Sequence, residues 1–422
     1  MSSELSIEPV KIPQPHFDWG QPTVIQQAAL ARYIQDKGAM SIYGDEGIYE
    51  ELESRLADLY KLRYVILTNT GTSALNSAFV GIGIQEGDEV VVPTYTFLAT
   101  VTPLLRLRAM PVFADADPVS GGIDPKDIER KITRKTKAIA LTHMWGVACD
   151  MEAVMAIAQA HNLKVVEDCS HAHFTMHKGK MLGTYGDAAC LSIGARKTLT
   201  SGEGGFMVTN DPEIYMRATL LGHFEVRAKQ ALRRLKDEGH QEVVDRYTGY
   251  ETGLGENYRM HPYSAVMANA LLKDGELFEL IQKRAQSLKY FTEELQNNVT
   301  IIEPPVYDED FYTGAMYGYR GKIRRDLLKC SIEDAVEALR GCNVSIKLQD
   351  APLHQKAIFH GLKAIGIGYG DELCFEGDFA GAAHYMDGRV TLPTFSRGLA
   401  EDRELIDEYI RVFKAFEAAY KR

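Results

Sequence analysis

Seven short apolar runs between residues 64 and 210 constrain the fold of this chain more than any other feature. They are Tyr64–Thr68, Glu89–Val92, Pro111–Ala114, Lys137–Thr142, Leu163–Val166, Asp187–Ser192 and Gly205–Thr209. Each has the length of a β-strand. Several are apolar on both faces, as a strand covered by helices on both sides must be. Between them lie stretches with helical spacing, Ser73–Gly81, Pro125–Ile132 and Met151–His161, the last preceded by Asp150 as N-cap. Strands and helices in alternation predict an α/β domain built on a mainly parallel, seven-stranded sheet.

The 422 residues are too many for one ordinary domain, so a second is expected. Residues 1–20, with Pro9, Pro13 and Pro15, run extended over the surface, and 21–270 form the large domain. A long helix over 272–297 opens a smaller C-terminal α/β domain, 271–422. Its strands fall near 317–323 and 343–346, its helices near 331–339 and 400–416. The first residues have neither a basic nor an apolar signal region, and no apolar run approaches the length of a membrane span. Six cysteines without a C-x-x-C pair argue against a zinc site and fit a reducing, cytoplasmic setting.

A net charge of −11 disfavours nucleic acid as a partner. The one basic stretch, Arg227 to Lys236, is bordered by Glu225, Asp237, Glu238 and Glu242 and reads as a solvated, mixed-charge helix. Gly81, Gly83 and Gly87 mimic a dinucleotide fingerprint, but their spacing is one residue too long. They end a helix before a strand rather than opening one after it, which suits a helix end and turn.

Three separated segments carry candidate chemistry. In Asn69-Thr70-Gly71-Thr72-Ser73-Ala74 a strand turns into a helix, where free N–H groups attract phosphate, glycine permits close approach and the hydroxyls of Thr72 and Ser73 add donors. Alone, such a segment is more often only a helix cap. Val165-Val-Glu-Asp168 is a buried strand ending in a carboxylate, at the edge where α/β sheets bind ligands. Such an acid can hold a pyridine nitrogen protonated; it can also be a surface acid or a cap. Lys197 follows a strand within a Gly/Ser/Thr-rich loop, Leu191-Ser-Ile-Gly-Ala-Arg-Lys197-Thr-Leu-Thr-Ser-Gly-Glu-Gly-Gly205. An uncharged amine there forms a Schiff base and shuttles protons, yet Arg196 lies beside it and nothing local separates the two.

From about residue 40 to 270, and more loosely to the C-terminus, the chain resembles the DegT/StrS-type sugar aminotransferases. The resemblance is carried by Gly71-Thr-Ser-Ala-Leu75, Gly87-Asp-Glu-Val-Val-Val-Pro93, Pro111-Val-Phe-Ala-Asp115, Val166-Glu-Asp-Cys-Ser-His-Ala172, Gly183-Thr-Tyr-Gly-Asp187, Lys197-Thr-Leu-Thr-Ser-Gly-Glu-Gly-Gly205 and Asn257-Tyr-Arg-Met260, in that order. It implies the PLP-dependent transferase fold of type I, pyridoxal 5'-phosphate (PLP) as cofactor and a homodimer with a shared active site. By the same resemblance Lys197 carries PLP and Asp168 pairs with its pyridine nitrogen. Phe97 covers one face of the ring and His171 lies near the other. Gly71, Thr72 and Ser192 bind the phosphate, with Ser73 in the same turn, and Asn257 reaches in from the partner subunit. Leu191-Ser192-Ile193 departs from the usual Phe-Ser-Phe, and the stretch 223–256 is longer than in compact members, either as a lid or as a surface excursion.

The activity implied is transfer of an amino group from L-glutamate or L-glutamine to a ketosugar, nucleotide-linked or not, or to a keto-cyclitol, in amino-sugar, aminocyclitol or antibiotic biosynthesis. Lys347, His354 and Lys356 lie where family members contact substrate. Lys197 argues against the branch that removes a sugar hydroxyl, which has histidine there. An aromatising synthase retains the lysine and stays open. A PLP-binding regulator without turnover has no need for both an electron sink and a proton shuttle.

Overall fold

The structure is a computed structural model, and it describes residues 7–14, 21–273, 275–360 and 377–422. The seven apolar runs form strands β1 (Tyr64–Thr68), β2 (Glu89–Pro93), β3 (Met110–Ala114), β4 (Thr136–Thr142), β5 (Lys164–Asp168), β6 (Ala188–Ser192) and β7 (Gly205–Thr209). They lie in one sheet in the order β1-β7-β6-β5-β4-β2-β3. Only β7 runs against its neighbours; the remaining pairs are parallel.

Alternate residues of each strand enter two apolar clusters, one on each face of the sheet. Val65, Leu67, Val91, Ile139 and Val165 belong to one; Tyr64, Ile66, Val90, Val92, Ala140 and Val166 belong to the other. Each such side chain contributes roughly 1.5–3 kcal/mol of apolar burial, which is why the strands are apolar on both sides.

Helices α1 (Ile48–Tyr60), α2 (Gly71–Gly81), α3 (Pro212–Gly222) and α4 (Glu225–Asp237) flank the sheet. Asp150 caps its helix, accepting from the Ala153 N–H, as expected. After Gly81 the chain turns through Gly83 and Gly87, both left-handed, before β2.

The long helix predicted over 272–297 is instead two. One ends at Lys273, and α5 (Glu276–Asn298) begins after Gly275, whose left-handed conformation breaks the run. Beyond it, strands β8 (Ile302–Glu303), β9 (Tyr319–Ile323), β10 (Lys347–Leu348) and β11 (Arg389–Leu392) form a second sheet, ordered β8-β9-β11-β10, with helix α6 (Leu399–Tyr420) also C-terminal to α5. The strand expected at 343–346 thus lies at 347–348: Asn343 is left-handed, and Ser345 N–H is taken by the Tyr409 hydroxyl rather than by a neighbouring strand. Residues 7–14 form no helix or strand but are pinned, Val10 N–H to the Cys342 carbonyl and Gln14 to that of Asn343. Pro15 and Cys374 lie outside the described residues.

The stretch 227–236 corrects the expectation of a wholly solvated helix. Lys229 and Arg234 make exposed pairs with Glu225 and Glu238, but Arg227 is 1% exposed. Its Nη2 lies 2.7 Å from Glu53 of α1, and Asp45 lies 3.8 Å from Nη1. Burial pushes the Glu53 carboxyl up, against the pull of Arg227. Charge alternation hid this residue, whose position on the helix matches Ala231 and Leu235 on the apolar face. Removing one partner of a buried pair strands the other charge, so Arg227→Met is expected to destabilise the protein by about 3–5 kcal/mol. Lys229→Ala is expected to cost less than about 1 kcal/mol. Guanidinium unfolding midpoints of the two variants check the contrast, and Arg227→Met/Glu53→Leu is expected to recover most of the loss.

Candidate active site

All strands of the large sheet except β7 point their C-terminal ends the same way, and there the chain opens into a cavity of about 640 Å³. Strand ends are where backbone groups run out of ladder partners and side chains are free to face a ligand. Gly71 and Thr72 come from the turn after β1, Phe97 from the loop after β2, Thr142 from the end of β4. Asp168 ends β5, Ser192 ends β6, and Lys197 follows in the next loop; all of them line the cavity together with His171.

Seven of the nine residues singled out in the sequence are therefore brought together. Ser73 and Asn257 are not among the lining residues. The Ser73 hydroxyl donates to Asn69 Oδ1 at 2.7 Å and its N–H to Thr70 Oγ1 at 3.0 Å, so it serves the helix cap. Asn257 is exposed, in a left-handed conformation.

The turn into α2 is a close-packed cradle. A Cβ on Gly71 would lie 2.6 Å from the Ser192 Cβ, so only glycine lets the helix start approach β6. Thr70 caps the helix through the Ser73 N–H, leaving the first amides of the turn for an anion.

Lys197 and Arg196 are separated by the fold: Lys197 faces the cavity and Arg196 is exposed. Burial lowers the Lys197 ammonium to about 8, with Asp168 pulling weakly the other way. The neutral, nucleophilic form of this amine is thus far more accessible near physiological pH than that of a solvated lysine. The Nζ sits 4.4 Å from the centre of the Tyr317 ring.

Asp168 is held by its neighbours on both oxygens, Oδ1 accepting from the Ser170 N–H at 3.0 Å and Oδ2 from the Thr100 hydroxyl at 2.8 Å. The preceding Glu167 points to the opposite face. There it accepts N–H groups of Gly183, Tyr185 and Gly186 and meets His143 at 3.1 Å, which anchors the end of β5.

Two flat surfaces complete the cavity. Phe97 leaves 63% of its area exposed, a large apolar ring uncovered at a cleft. His171 is stacked on Tyr317 with centroids 3.8 Å apart and planes 12° from parallel. Burial and the nearby Lys197 push its pKa well below the ordinary histidine range, so the imidazole is neutral. Trp145, also in the wall, has φ of 63°, a left-handed conformation rare for a bulky residue, and its indole N–H donates to the Tyr95 hydroxyl at 2.7 Å.

Sequence reasoning missed Tyr95, Thr96, Trp145, Ser170, Glu203 and Tyr317. Thr96 and Ser170 adjoin named residues, and Glu203 stands in the quoted lysine loop, so proximity could have found them. Tyr317 carries no such signal, because it comes from the C-terminal part of the chain, as do Gln349, Asp350, Leu353 and Lys356. Of the substrate-region residues named, Lys356 lines the cavity. His354 hydrogen-bonds Thr94 and stacks on Phe379, and Lys347 faces solvent beside Asp350. No lining residue comes from 223–256; α4 instead packs Ala228, Ala231 and Leu235 into the core.

This donor set suits PLP. The amide cradle accommodates a phosphate, the carboxylate a protonated pyridine nitrogen, the low-pKa amine an aldehyde, and the two flat groups the faces of an aromatic ring.

Comparison with known proteins agrees. The model of the DegT/DnrJ/EryC1/StrS aminotransferase family matches residues 26–402. GDP-perosamine synthase of Escherichia coli O157:H7 is 34% identical over 269 residues, 64% of this chain and 67% of that protein. The L-glutamine:2-deoxy-scyllo-inosose aminotransferase of Streptomyces kanamyceticus is 30% identical over 276 residues, 64% of this chain and 62% of that one. The X-ray structure of the aminotransferase from Psychrobacter cryohalolentis superposes with a TM-score of 0.76 at 24% identity, covering 95% of this chain and 98% of that one, and so shares the fold. With the lysine, the carboxylate and the phosphate cradle meeting in one cavity, the chain belongs to the DegT/DnrJ/EryC1/StrS family of PLP-dependent aminotransferases.

Proposed function

We propose that this enzyme moves an amino group from L-glutamate or L-glutamine to a ketosugar or keto-cyclitol, within amino-sugar, aminocyclitol or antibiotic biosynthesis. The observation that carries the reading is the buried Lys197 amine, its pKa lowered to about 8, lining one cavity with the Asp168 carboxylate. The walls add hydroxyls from Thr70, Thr72, Tyr95, Thr96, Ser170 and Tyr317, which suit a polyhydroxylated ring. One relative is a GDP-perosamine synthase and another an L-glutamine:2-deoxy-scyllo-inosose aminotransferase, which supports both acceptor classes.

PLP, when bound, supplies an aldehyde for the amino group and an electron sink for the carbon that loses its proton. Lys197 Nζ would take that proton from the α-carbon of the donor and hold it as the ammonium until it is returned. The same amine reverses the transfer on the acceptor, since one base serves both directions. Asp168 would hold the pyridine nitrogen protonated, Phe97 and His171 would flank the ring, and Gly71, Thr72 and Ser192 would hold the phosphate, with Ser73 shaping the turn. A neutral His171 adds no second positive charge beside the pyridinium.

The enzyme works as a homodimer in this proposal. Val24, Met40, Tyr250 and Leu254 expose apolar side chains, and Asn257, exposed and absent from its own cavity wall, would serve the partner's. The division into a large domain ending near residue 270 and a small domain to 422 follows the two sheets. A cytoplasmic site suits the free Cys149, Cys169, Cys190, Cys330 and Cys342; among the described residues, no helix is long and apolar enough to cross a membrane.

The test is the visible spectrum of the PLP-loaded protein with each amino acid. L-glutamate or L-glutamine is expected to bleach the yellow band, and a keto acceptor to restore it. A yellow protein that neither amino acid bleaches would remove the donor assignment.

A further inference from the structure

Asp168 does not stand alone behind the cavity. Thr100, fully buried, donates to its Oδ2 at 2.8 Å. Thr100 Oγ1 also lies 3.0 Å from Thr142 Oγ1 and 3.0 Å from Thr96 Oγ1, and the last two are 2.7 Å apart. Three hydroxyls, one from the end of β4 and two from the segment after β2, thus form a closed triangle, with the carboxylate bonded to its Thr100 corner. Thr96 and Thr142 line the cavity, whereas Thr100 is not among its lining residues.

Proton counting gives this cluster a direction. Each hydroxyl has one proton to donate, and an ionised carboxylate has none. Thr100 spends its proton on Asp168, so it can only accept from the other two. The shortest contact, between Thr96 and Thr142, uses the proton of one of them, and the other is left to donate to Thr100. Whichever order holds, the result is a three-hydroxyl chain whose last donor points at Oδ2. A protonated Asp168 donating to Thr100 would require the chain to reverse. The arrangement is self-consistent with the carboxylate as acceptor, and donors in such a chain polarise one another.

We propose that Thr100 is a positioning residue for the cofactor, with Thr142 and Thr96 as its supports. The chain holds the Asp168 carboxylate fixed in rotation, with its remaining lone pairs toward the cavity. With Ser170 N–H on Oδ1, each oxygen has one fixed donor, and the plane of the carboxylate is set before any ligand arrives. This inference rests on the assignment of Asp168 to the pyridine nitrogen.

The test uses the full-length protein freed of PLP and then titrated with it. Quenching of tryptophan fluorescence is the readout, since Trp145 lies in the cavity wall. Thr100→Val is expected to weaken PLP binding about 10- to 100-fold, the range for losing a hydrogen bond to a charged group or a supporting contact behind a ligand. It also lowers kcat with little change in the KM for the acceptor. Thr100→Ser, which keeps the hydroxyl, is expected to restore affinity to within about threefold. Thr142→Val leaves the last donor in place and is expected to lose only a few-fold.

Melting temperatures of the PLP-free variants show whether Thr100→Val still folds; if it does not, Thr142→Val and Thr100→Ser carry the comparison. Unchanged PLP affinity in folded Thr100→Val would overturn the proposal. Equal losses in Thr100→Val and Thr100→Ser would overturn it too, by tracing the effect to packing. Asp168→Asn separates the premise from the inference. If that variant binds PLP and turns over normally, the assignment of Asp168 falls; if it is impaired while Thr100→Val is not, only the threonine chain falls.

Discussion

Lys197→Ala is expected to lower turnover by at least about 10⁴-fold, because one substitution removes both the amine that captures the cofactor and the base that moves the proton. Melting should stay close to that of the unsubstituted protein. Among the described residues the Lys197 Nζ forms no ion pair, and it lies 4.4 Å from the centre of the Tyr317 ring. The two measurements together separate lost chemistry from lost folding. A folded variant with near-normal rate would end the assignment of Lys197.

The lowered Lys197 pKa adds a sign that can be checked. Only the neutral amine attacks an aldehyde, and protonation removes it below a pKa of about 8. The rate at which the PLP-free protein recaptures PLP should therefore rise with pH and reach half its plateau near that value. A lysine in open solvent would reach half-plateau more than about two pH units higher. Lys197→Arg, charged at every accessible pH, should show no visible band at any pH.

Asp168→Asn is expected to lower kcat on the order of 10²–10³-fold, the range for removing one preorganised electrostatic partner of a reacting group. The amide keeps the shape of the side chain but cannot hold the pyridine nitrogen in its protonated form. The acceptor KM should move little, since the lost interaction belongs to the reacting state rather than to substrate binding. The hydrogen bonds from Thr100 and Ser170 sharpen the prediction: an amide can present only one oxygen to two donors, so one of them is left without its acceptor. A variant in which KM rises while kcat holds would move Asp168 from cofactor to substrate.

Much of this molecule was legible in its residues. The carboxylate after the apolar run of β5 reads equally as a ligand-edge acid or a cap, and the fold puts Asp168 on the cavity wall. The turn at Gly71 was legible as a helix start, but its own residues left a helix cap and an anion cradle unseparated. Arg227 was misjudged because a sequence shows charge but not the face on which that charge lies. The helix break at Gly275 was missed because the apolar spacing carries on across it.

Local pattern by itself determined the large sheet, its flanking helices and the turn after β1, since period, caps and turns depend on neighbouring residues. The order of the motifs along the chain determined the family. Tertiary structure alone decided which of Arg196 and Lys197 faces inward. It also brought Tyr317 against His171, closed the three threonines behind Asp168 and buried Arg227 on Glu53. Each of these joins residues far apart in the chain or depends on which way a side chain turns. Burial, which sets the pKa values of Lys197 and His171, is a property of the packed whole, and no short stretch of sequence contains it.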